Sequence, residues 1–300
     1  MVVAWVRTRA DGIIGRCARH RFPRVYRGIS SAQTHERSRG LTVQVIGVIP
    51  ARMGSSRFPN KPLAPILGMP MIGHVYHRAC RAERLSEVWV ATCDQEIYDY
   101  VESIGGNAVM TADTHERATD RTAEALVNIE AITGRQIEAV LMIQGDEPML
   151  VPSELDDLVV AAEAAPDAAA ANLMIKIRTQ EEFEDLNAVK VVASVDGEAL
   201  YLSREPIPSK RRFGADVPMW RQLGIILFRR DALLTYAKLE PTPLEIIESV
   251  DMNRFLEHGY TIKLAEATHP TKAVDTPEDL AEVERLMGAG DPLADEYLGA

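Results

Sequence analysis

Apolar runs that alternate with amphipathic stretches predict alternating strands and helices through the first half of the chain. Residues 43–49 (Val-Gln-Val-Ile-Gly-Val-Ile) form a β-branched run suited to a buried parallel strand. Met71, Ile72, Val75, Tyr76 and Ala79 recur at helical spacing as far as residue 83, and residues 88–92 return to strand. Asp94 is a suitable N-cap for a helix to residue 104, and Gly105-Gly106 ends it. A short strand is predicted at 108–110, an amphipathic helix at 120–132, a buried strand at 139–143 and a helix at 152–165. Strand and helix in strict alternation specify an α/β fold.

Beyond residue 168 the pattern changes. Strands are predicted at 171–176, 188–195 and 198–202, the last two joined at Asp196-Gly197, a hairpin signal. Residues 206–218 are rich in proline and charge and read as an excursion from the sheet; 223–228 return as strand. Helices follow at 231–239 and 244–258, then a strand at 260–265. Thr276, with Pro277 behind it and acids at 278 and 279, caps a terminal helix to residue 287.

Chemistry gathers first in residues 49–62, Ile-Pro-Ala-Arg-Met-Gly-Ser-Ser-Arg-Phe-Pro-Asn-Lys-Pro. Pro50, Gly54, Ser55, Ser56 and Pro59 interrupt regular structure, while Arg52, Arg57 and Lys61 put three cations in one turn-rich stretch. Such a loop suits phosphate: small residues let backbone N–H groups approach, arginine offers a planar fork, and lysine a point charge. A basic surface loop is the alternative. A second cluster, Gln144-Gly145-Asp146-Glu147-Pro148, follows the strand at 139–143. In open α/β sheets ligands lie beyond the carboxyl ends of strands, so Asp146 is either a metal or substrate group or a turn residue before the next helix. The sequence contains no GxGxxG after the first strand, no GxxxxGK[ST], no HExxH and no GxSxG. His74 and His77 share a helical face without a nearby acid, which favours packing over metal binding.

Charge separates an arm from the body. The net charge of −11 divides into +7 on residues 1–40, which hold nine arginines and no lysine, and −18 on the rest. Residues 1–42 lack hydrophobic periodicity and are expected to be a flexible arm outside the fold: a transit-like segment, a polyanion-binding tail or, the reading adopted, translated upstream sequence. The acidic body argues against a general nucleic-acid binder. No apolar stretch reaches the 18 to 20 or so residues that a membrane span needs. Cys17, Cys80 and Cys93 have no metal-ligand or disulfide spacing, consistent with a cytoplasmic protein.

Read together in that order, the loop, the Gln144–Pro148 cluster and Val274-Asp275-Thr276-Pro277-Glu278-Asp279-Leu280 make the chain resemble the 3-deoxy-manno-octulosonate cytidylyltransferase (CMP-Kdo synthetase) family. Asn187-Ala188-Val189-Lys190-Val191-Val192, Ala199-Leu200-Tyr201-Leu202-Ser203-Arg204 and Pro243-Leu244-Glu245 extend the resemblance over residues 43–288, leaving 289–300 as a C-terminal tail. The resemblance implies one α/β, Rossmann-like nucleotidyltransferase domain of GT-A type with a mixed, mostly parallel sheet. It implies a homodimer, Mg²⁺, and transfer of CMP from CTP to a 2-keto-3-deoxy sugar acid with release of pyrophosphate, a step toward surface polysaccharide. Carried over by position, Ala51, Arg52, Arg57, Lys61, Thr119, Asp120, Arg121 and Gln144 would bind the nucleotide. Asp146 and Asp275 would hold Mg²⁺ and, with Arg52 and Lys61, carry catalysis; Arg204, Gln222, Ile226, Asp251 and Met252 would line the acceptor site.

This chain departs from the family pattern in two places. Beside the nucleotide, Arg117 and Ala118 stand where Ser and Gly are expected. On the acceptor side, Gln222, Ile226 and Met252 replace a His, a Tyr and a Gln, removing polar partners for sugar hydroxyls. These losses point away from Kdo itself, so the acceptor is expected to be a 2-keto-3-deoxy sugar acid, Kdo or a related acidic sugar, with a phosphonate or other acidic small molecule as the alternative; Arg117 and Lys210-Arg211-Arg212 would add charge for the latter, the 210–212 cluster otherwise lying on a solvated excursion or dimer edge. A non-catalytic nucleotide-binding protein is the remaining reading. Asn60 in place of Gly is a mild change, because Asn tolerates the left-handed conformation.

Overall fold

A computed structural model describes residues 44–54, 58–209 and 218–299. The N-terminal arm, Arg57 and the Lys210–Arg212 cluster lie outside the described residues. The first half folds as β1 (Val45–Ala51), a 3-10 turn Lys61–Leu63, the two-residue strands β2 (Pro65–Ile66) and β3 (Met69–Pro70), α1 (Met71–Ala79), β4 (Leu85–Thr92), α2 (Gln95–Ser103), β5 (Asn107–Met110), α3 (Ala118–Thr133), β6 (Ala139–Ile143) and α4 (Pro152–Glu163). The second half contributes β7 (Ala170–Lys176), α5 (Gln180–Glu184), β8 (Lys190–Ala193), β9 (Ala199–Ser203), β10 (Trp220–Arg229), α6 (Arg230–Tyr236), α7 (Pro243–Glu248), α8 (Met252–Glu257), β11 (Ile262–Ala267), α9 (Pro277–Gly288) and α10 (Pro292–Leu298).

The central sheet runs β11-β7-β10-β6-β1-β4-β5, with the β8–β9 hairpin joined to β10. All pairs along that path are parallel except those of β10, which runs antiparallel to both β6 and β7. The expected mixed, mostly parallel Rossmann-like sheet is therefore the observed one. Alternation along β1 divides the core: Val45 and Ile49 face α1, α2 and α4, while Ile46 and Val48 face α3, α6 and α8. Because β4 and β5 extend from one side of β1 and β6 lies on the other, the strand order reverses between β1 and β6, and the crevice at their carboxyl ends is the natural ligand position.

Two local signals hold in detail. Gly197, at φ 72°, turns the β8–β9 hairpin, and Asn60, at φ 61°, takes the left-handed conformation directly before Lys61. The single helix expected at 244–258 is instead broken into α7 and α8 at Ser249, whose φ is 51°. The break turns Glu248 toward β9, where its carboxylate accepts from Tyr201 Oη, Ser203 Oγ and the Arg204 N–H. The carbonyls of Glu248 and Ser249 that leave the helix are taken up by the Arg204 guanidinium at 2.8 and 3.1 Å. Tertiary hydrogen bonds thus outweigh a continuous helical pattern. The residues set apart as a C-terminal tail contribute α10, whose Ala294 is fully buried in a third apolar cluster with Ile66, Met71, Val274, Val283 and Met287.

Candidate active site

A cavity of about 510 Å³ opens at the carboxyl ends of β1 and β6, lined by Ala51, Arg52, Gly54, Lys61, His115 to Ala118, Arg121 and Gln144 to Asp146 among others. That size suits a small-molecule ligand.

One corner joins three distant segments. Lys61 Nζ donates to Asp146 Oδ2 at 2.9 Å and to the Val274 carbonyl at 2.8 Å, and lies 3.8 Å from Asp275 Oδ1. The Val274 N–H in turn donates to the Asp146 carbonyl at 2.9 Å. Asp146 follows β6, Asp275 precedes α9, and the capping box between Thr276 and Asp279 fixes the backbone just beyond Asp275. Both carboxylates keep about a third of their side-chain surface exposed, 29% and 35%, against 14% for Lys61. Beside them Glu147 is 5% exposed, and its Oε2 has no hydrogen-bond partner among the described residues. Burial, then the Asp146 charge, pushes its carboxyl up to about 7, so the adjacent acids do not both carry full charge at neutral pH.

The loop wall is held from behind. Met53 N–H donates to Asp94 Oδ2 at 2.7 Å, Asn60 N–H closes onto the Met53 carbonyl, and Arg52 Nη1 reaches the His115 carbonyl at 3.4 Å while its side chain stays exposed. Gln144 lies across Gly224 of β10. A Cβ there would stand 2.2 Å from Gln144 Cγ, so the glycine is what lets the glutamine occupy the cavity floor.

The opposite wall is the start of α3. Arg121 is buried, with Nη1 on the Ala112 carbonyl and Thr111 Oγ1 and Nη2 without a hydrogen-bond partner among the described residues. Arg117 Nη1 lies 3.0 Å from Asp251 Oδ1, and Thr119 Oγ1 donates to Asp251 Oδ2 at 2.9 Å. Burial, partly offset by Arg117, pushes the Asp251 carboxyl upward, and burial also raises Asp120, against the charge of Arg254.

Of the residues expected at the nucleotide, Ala51, Arg52, Lys61, Arg121 and Gln144 line the cavity, whereas Thr119 and Asp120 stand behind it. Of the acceptor set, Asp251 reaches the cavity wall through its pair with Arg117, and the other four do not line the cavity. Ile226 and Met252 are core residues, 4% and 0% exposed, on the inner sides of β10 and α8. Gln222 donates to Asn172 Oδ1 at 2.6 Å, and Asn172 Nδ2 satisfies the Leu223 and Ile225 carbonyls where the β7–β10 register shifts. The Arg204 guanidinium is spent on the carbonyls of Leu186, Glu248 and Ser249. Arg117, expected to add charge for an acidic acceptor, lines the cavity, as do Gly145, His115, Glu116 and Ala118, which were not singled out as ligands; the signal for the last three was the departure from the family pattern at the start of α3.

The fold and this site define an α/β nucleotidyltransferase: a cationic loop after the first strand, and two carboxylates converging at the strand-order reversal. The chain belongs to the cytidylyltransferase family, whose sequence profile matches residues 46–264. It is 38% identical over 251 residues to the 3-deoxy-manno-octulosonate cytidylyltransferase of Geobacter metallireducens, covering 80% of this chain and 96% of that one. Against the enzyme of the same name from Myxococcus xanthus it is 41% identical over 246 residues, covering 82% and 97%. Among solved structures, the CMP:2-keto-3-deoxy-manno-octonic acid synthetase complexed with CTP superposes with a TM-score of 0.75 at 37% identity, over 82% of this chain and 99% of that one. A 4-diphosphocytidyl-2C-methyl-D-erythritol synthase from Anaerococcus prevotii shares the fold alone, at TM-score 0.54 and 15% identity.

Proposed function

We propose that this cytidylyltransferase transfers CMP from CTP to Kdo or a closely related 2-keto-3-deoxy sugar acid, releasing pyrophosphate, for lipopolysaccharide precursor synthesis. The observation that carries this reading is the Lys61–Asp146–Asp275 junction at the mouth of a nucleotide-sized cavity, in a chain about 40% identical to enzymes named for that reaction.

Asp146 and Asp275 present hard oxygen donors on either side of one ammonium, and Mg²⁺ typically takes one or two protein carboxylates, with phosphate and water completing its shell. The donor set fits that ion, although the described residues hold no cluster of three or more His, Cys, Asp or Glu. When bound, Mg²⁺ would neutralise charge on the phosphates. The chain's own residues do the rest. Lys61 supplies a half-buried positive charge where the pyrophosphate leaving group forms, and Arg52 and the loop backbone hold the outer phosphates. The Nη2 of Arg121, without a partner among the described residues, and the Gln144 amide offer polar contacts to the nucleoside. No side chain needs to act as a nucleophile, because the acceptor oxygen can attack the α-phosphorus in line. Arg117, partly exposed on the far wall, is assigned to the acceptor carboxylate, a role first expected of Arg204.

We further infer a cytoplasmic homodimer. Free Cys80 and Cys93 suit a reducing compartment, and among the described residues no helix is long and apolar enough to cross a membrane. Leu200 on β9 and Ile246 and Ile247 on α7 are 61%, 63% and 76% exposed, an apolar surface suited to a second copy.

The test is pyrophosphate release with Mg²⁺ and each ribonucleoside triphosphate against Kdo, other 2-keto sugar acids and phosphonates. Rapid release with CTP and Kdo is the expected result. Release only with a phosphonate would replace the acceptor, and CTP binding without release on any acceptor would leave a nucleotide-binding protein.

A further inference from the structure

We infer that the C-terminal helix α10 is a positioning strut for the reacting centre, and that Tyr297 is the residue through which it acts. The inference rests on Lys61, Asp146 and Asp275 being that centre. All three are carried on segments with little regular structure of their own: Lys61 on a single 3-10 turn, Asp146 on the turn after β6, Asp275 on the coil before α9. Their relative placement must come from whatever they pack against.

Each segment is tied to α1 or α10. Downstream of Lys61, the Ile66 carbonyl accepts from His74 Nε2 at 2.8 Å. Beyond Asp146, the Leu150 carbonyl accepts from Arg78 Nη1 at 3.3 Å. Val274, next to Asp275, shares the third apolar cluster with Ile66, Ala294 and Tyr297. His74 and Arg78, one turn apart on α1, then meet on one atom of α10, Tyr297 Oη: 2.7 Å from His74 Nδ1 and 3.3 Å from Arg78 Nε.

Chemistry orients this junction. His74 is fully buried, and burial holds its imidazole below the usual range, so it is neutral. A carbonyl can only accept, so Nε2 carries the proton toward Ile66 and Nδ1 must accept. Tyr297 therefore donates to His74 and accepts from Arg78. Its ring stacks on His77 at 5.3 Å and 15°, beneath the Arg81 guanidinium at 5.2 Å. Asp291 anchors the other end of the helix: one oxygen caps α10 through the Leu293 and Ala294 N–H groups, and the other pairs with Arg78. Removing the tyrosine hydroxyl would leave two buried groups on α1 without their shared partner and free Ile66 and Leu150 to shift.

The experiment compares Tyr297→Phe, Asp291→Asn, Lys61→Ala and Val159→Ala by steady-state pyrophosphate release with CTP, Kdo and varied Mg²⁺, alongside thermal unfolding. Val159, buried on α4 and in contact with neither Tyr297 Oη nor the reacting groups by any hydrogen bond, controls for general loss of stability. Tyr297→Phe is expected to lower kcat about five- to tenfold and raise the half-saturating Mg²⁺, with KM for CTP within about twofold, because small displacements of reacting groups act on turnover more than on ground-state binding. Val159→Ala should lose thermal stability without that split. If Tyr297→Phe and Asp291→Asn keep wild-type kcat and Mg²⁺ dependence, or lose activity only in proportion to the folded fraction, the strut is overturned. If Lys61→Ala itself keeps full turnover, it is the assignment of the centre that fails.

Discussion

The two walls of the cavity handle charge in opposite ways. At the corner of β1 and β6, one lysine faces two carboxylates, leaving a surplus negative charge that stays partly open to solvent. Across the cavity Arg117 and Asp251 balance one to one, with Thr119 adding a hydrogen bond to the carboxylate. A surplus of carboxylate suits a divalent cation and the phosphates it carries; a balanced pair at the rim suits an exchange of partners, in which an acidic ligand takes the arginine from the aspartate. The first wall is thus proposed as the place of nucleotidyl transfer, and the Arg117–Asp251 pair of the second as the place of acceptor choice.

The largest effect should follow from removing the surplus. Asp146→Asn or Asp275→Asn is expected to lower kcat by about a thousandfold or more while leaving the unfolding midpoint close to that of the parent protein, since each carboxylate is proposed to hold the Mg²⁺ that would offset charge developing on the phosphates. Near-normal turnover in either variant would erase the distinction between the walls. Next in size, Arg117→Ser should raise the acceptor KM about tenfold with KM for CTP within about twofold, the loss of one charge-assisted contact. A rise in the CTP KM instead would move the arginine to the nucleotide.

The smallest effect concerns the support behind the first wall. His74 is held below its ordinary 6.5 by burial, so below that pH the unfolded chain binds more protons than the folded one. Its contribution to stability is complete above 6.5 and falls as the pH drops below it, with a slope of at most about 1.4 kcal/mol per pH unit. Protonation would also turn both ring nitrogens into donors and break the acceptance from Tyr297. Urea midpoints at about pH 7.5 and about pH 5.5 should therefore fall further for the parent protein than for His74→Asn, which does not titrate there. Equal falls would show that this histidine does not carry acid sensitivity.

Much of the fold was legible because its signals are local. The β-branched run at β1, the apolar strand at β6, the Asp196-Gly197 turn and the Thr276 cap each appear where the sequence predicts them. The helix break at Ser249 was hidden because periodicity runs on through it; what ends α7 is Arg204 and β9, some 45 residues away. Chemical type was equally local, since the cations of the loop and the acids after β6 and before α9 can be picked out by eye.

The sequence by itself determined the kinds of elements and the kinds of chemistry, because helical and strand periods, caps and left-handed turn positions are set by neighbouring residues. Only the tertiary structure decided which of those groups meet. Lys61 touches Val274 across 213 residues of chain, Ile226 and Met252 turn into the core, Gln222 is drawn to Asn172, and Arg204 to a broken helix end. Those outcomes depend on strand order and on where buried polar groups find partners, and no local pattern records either.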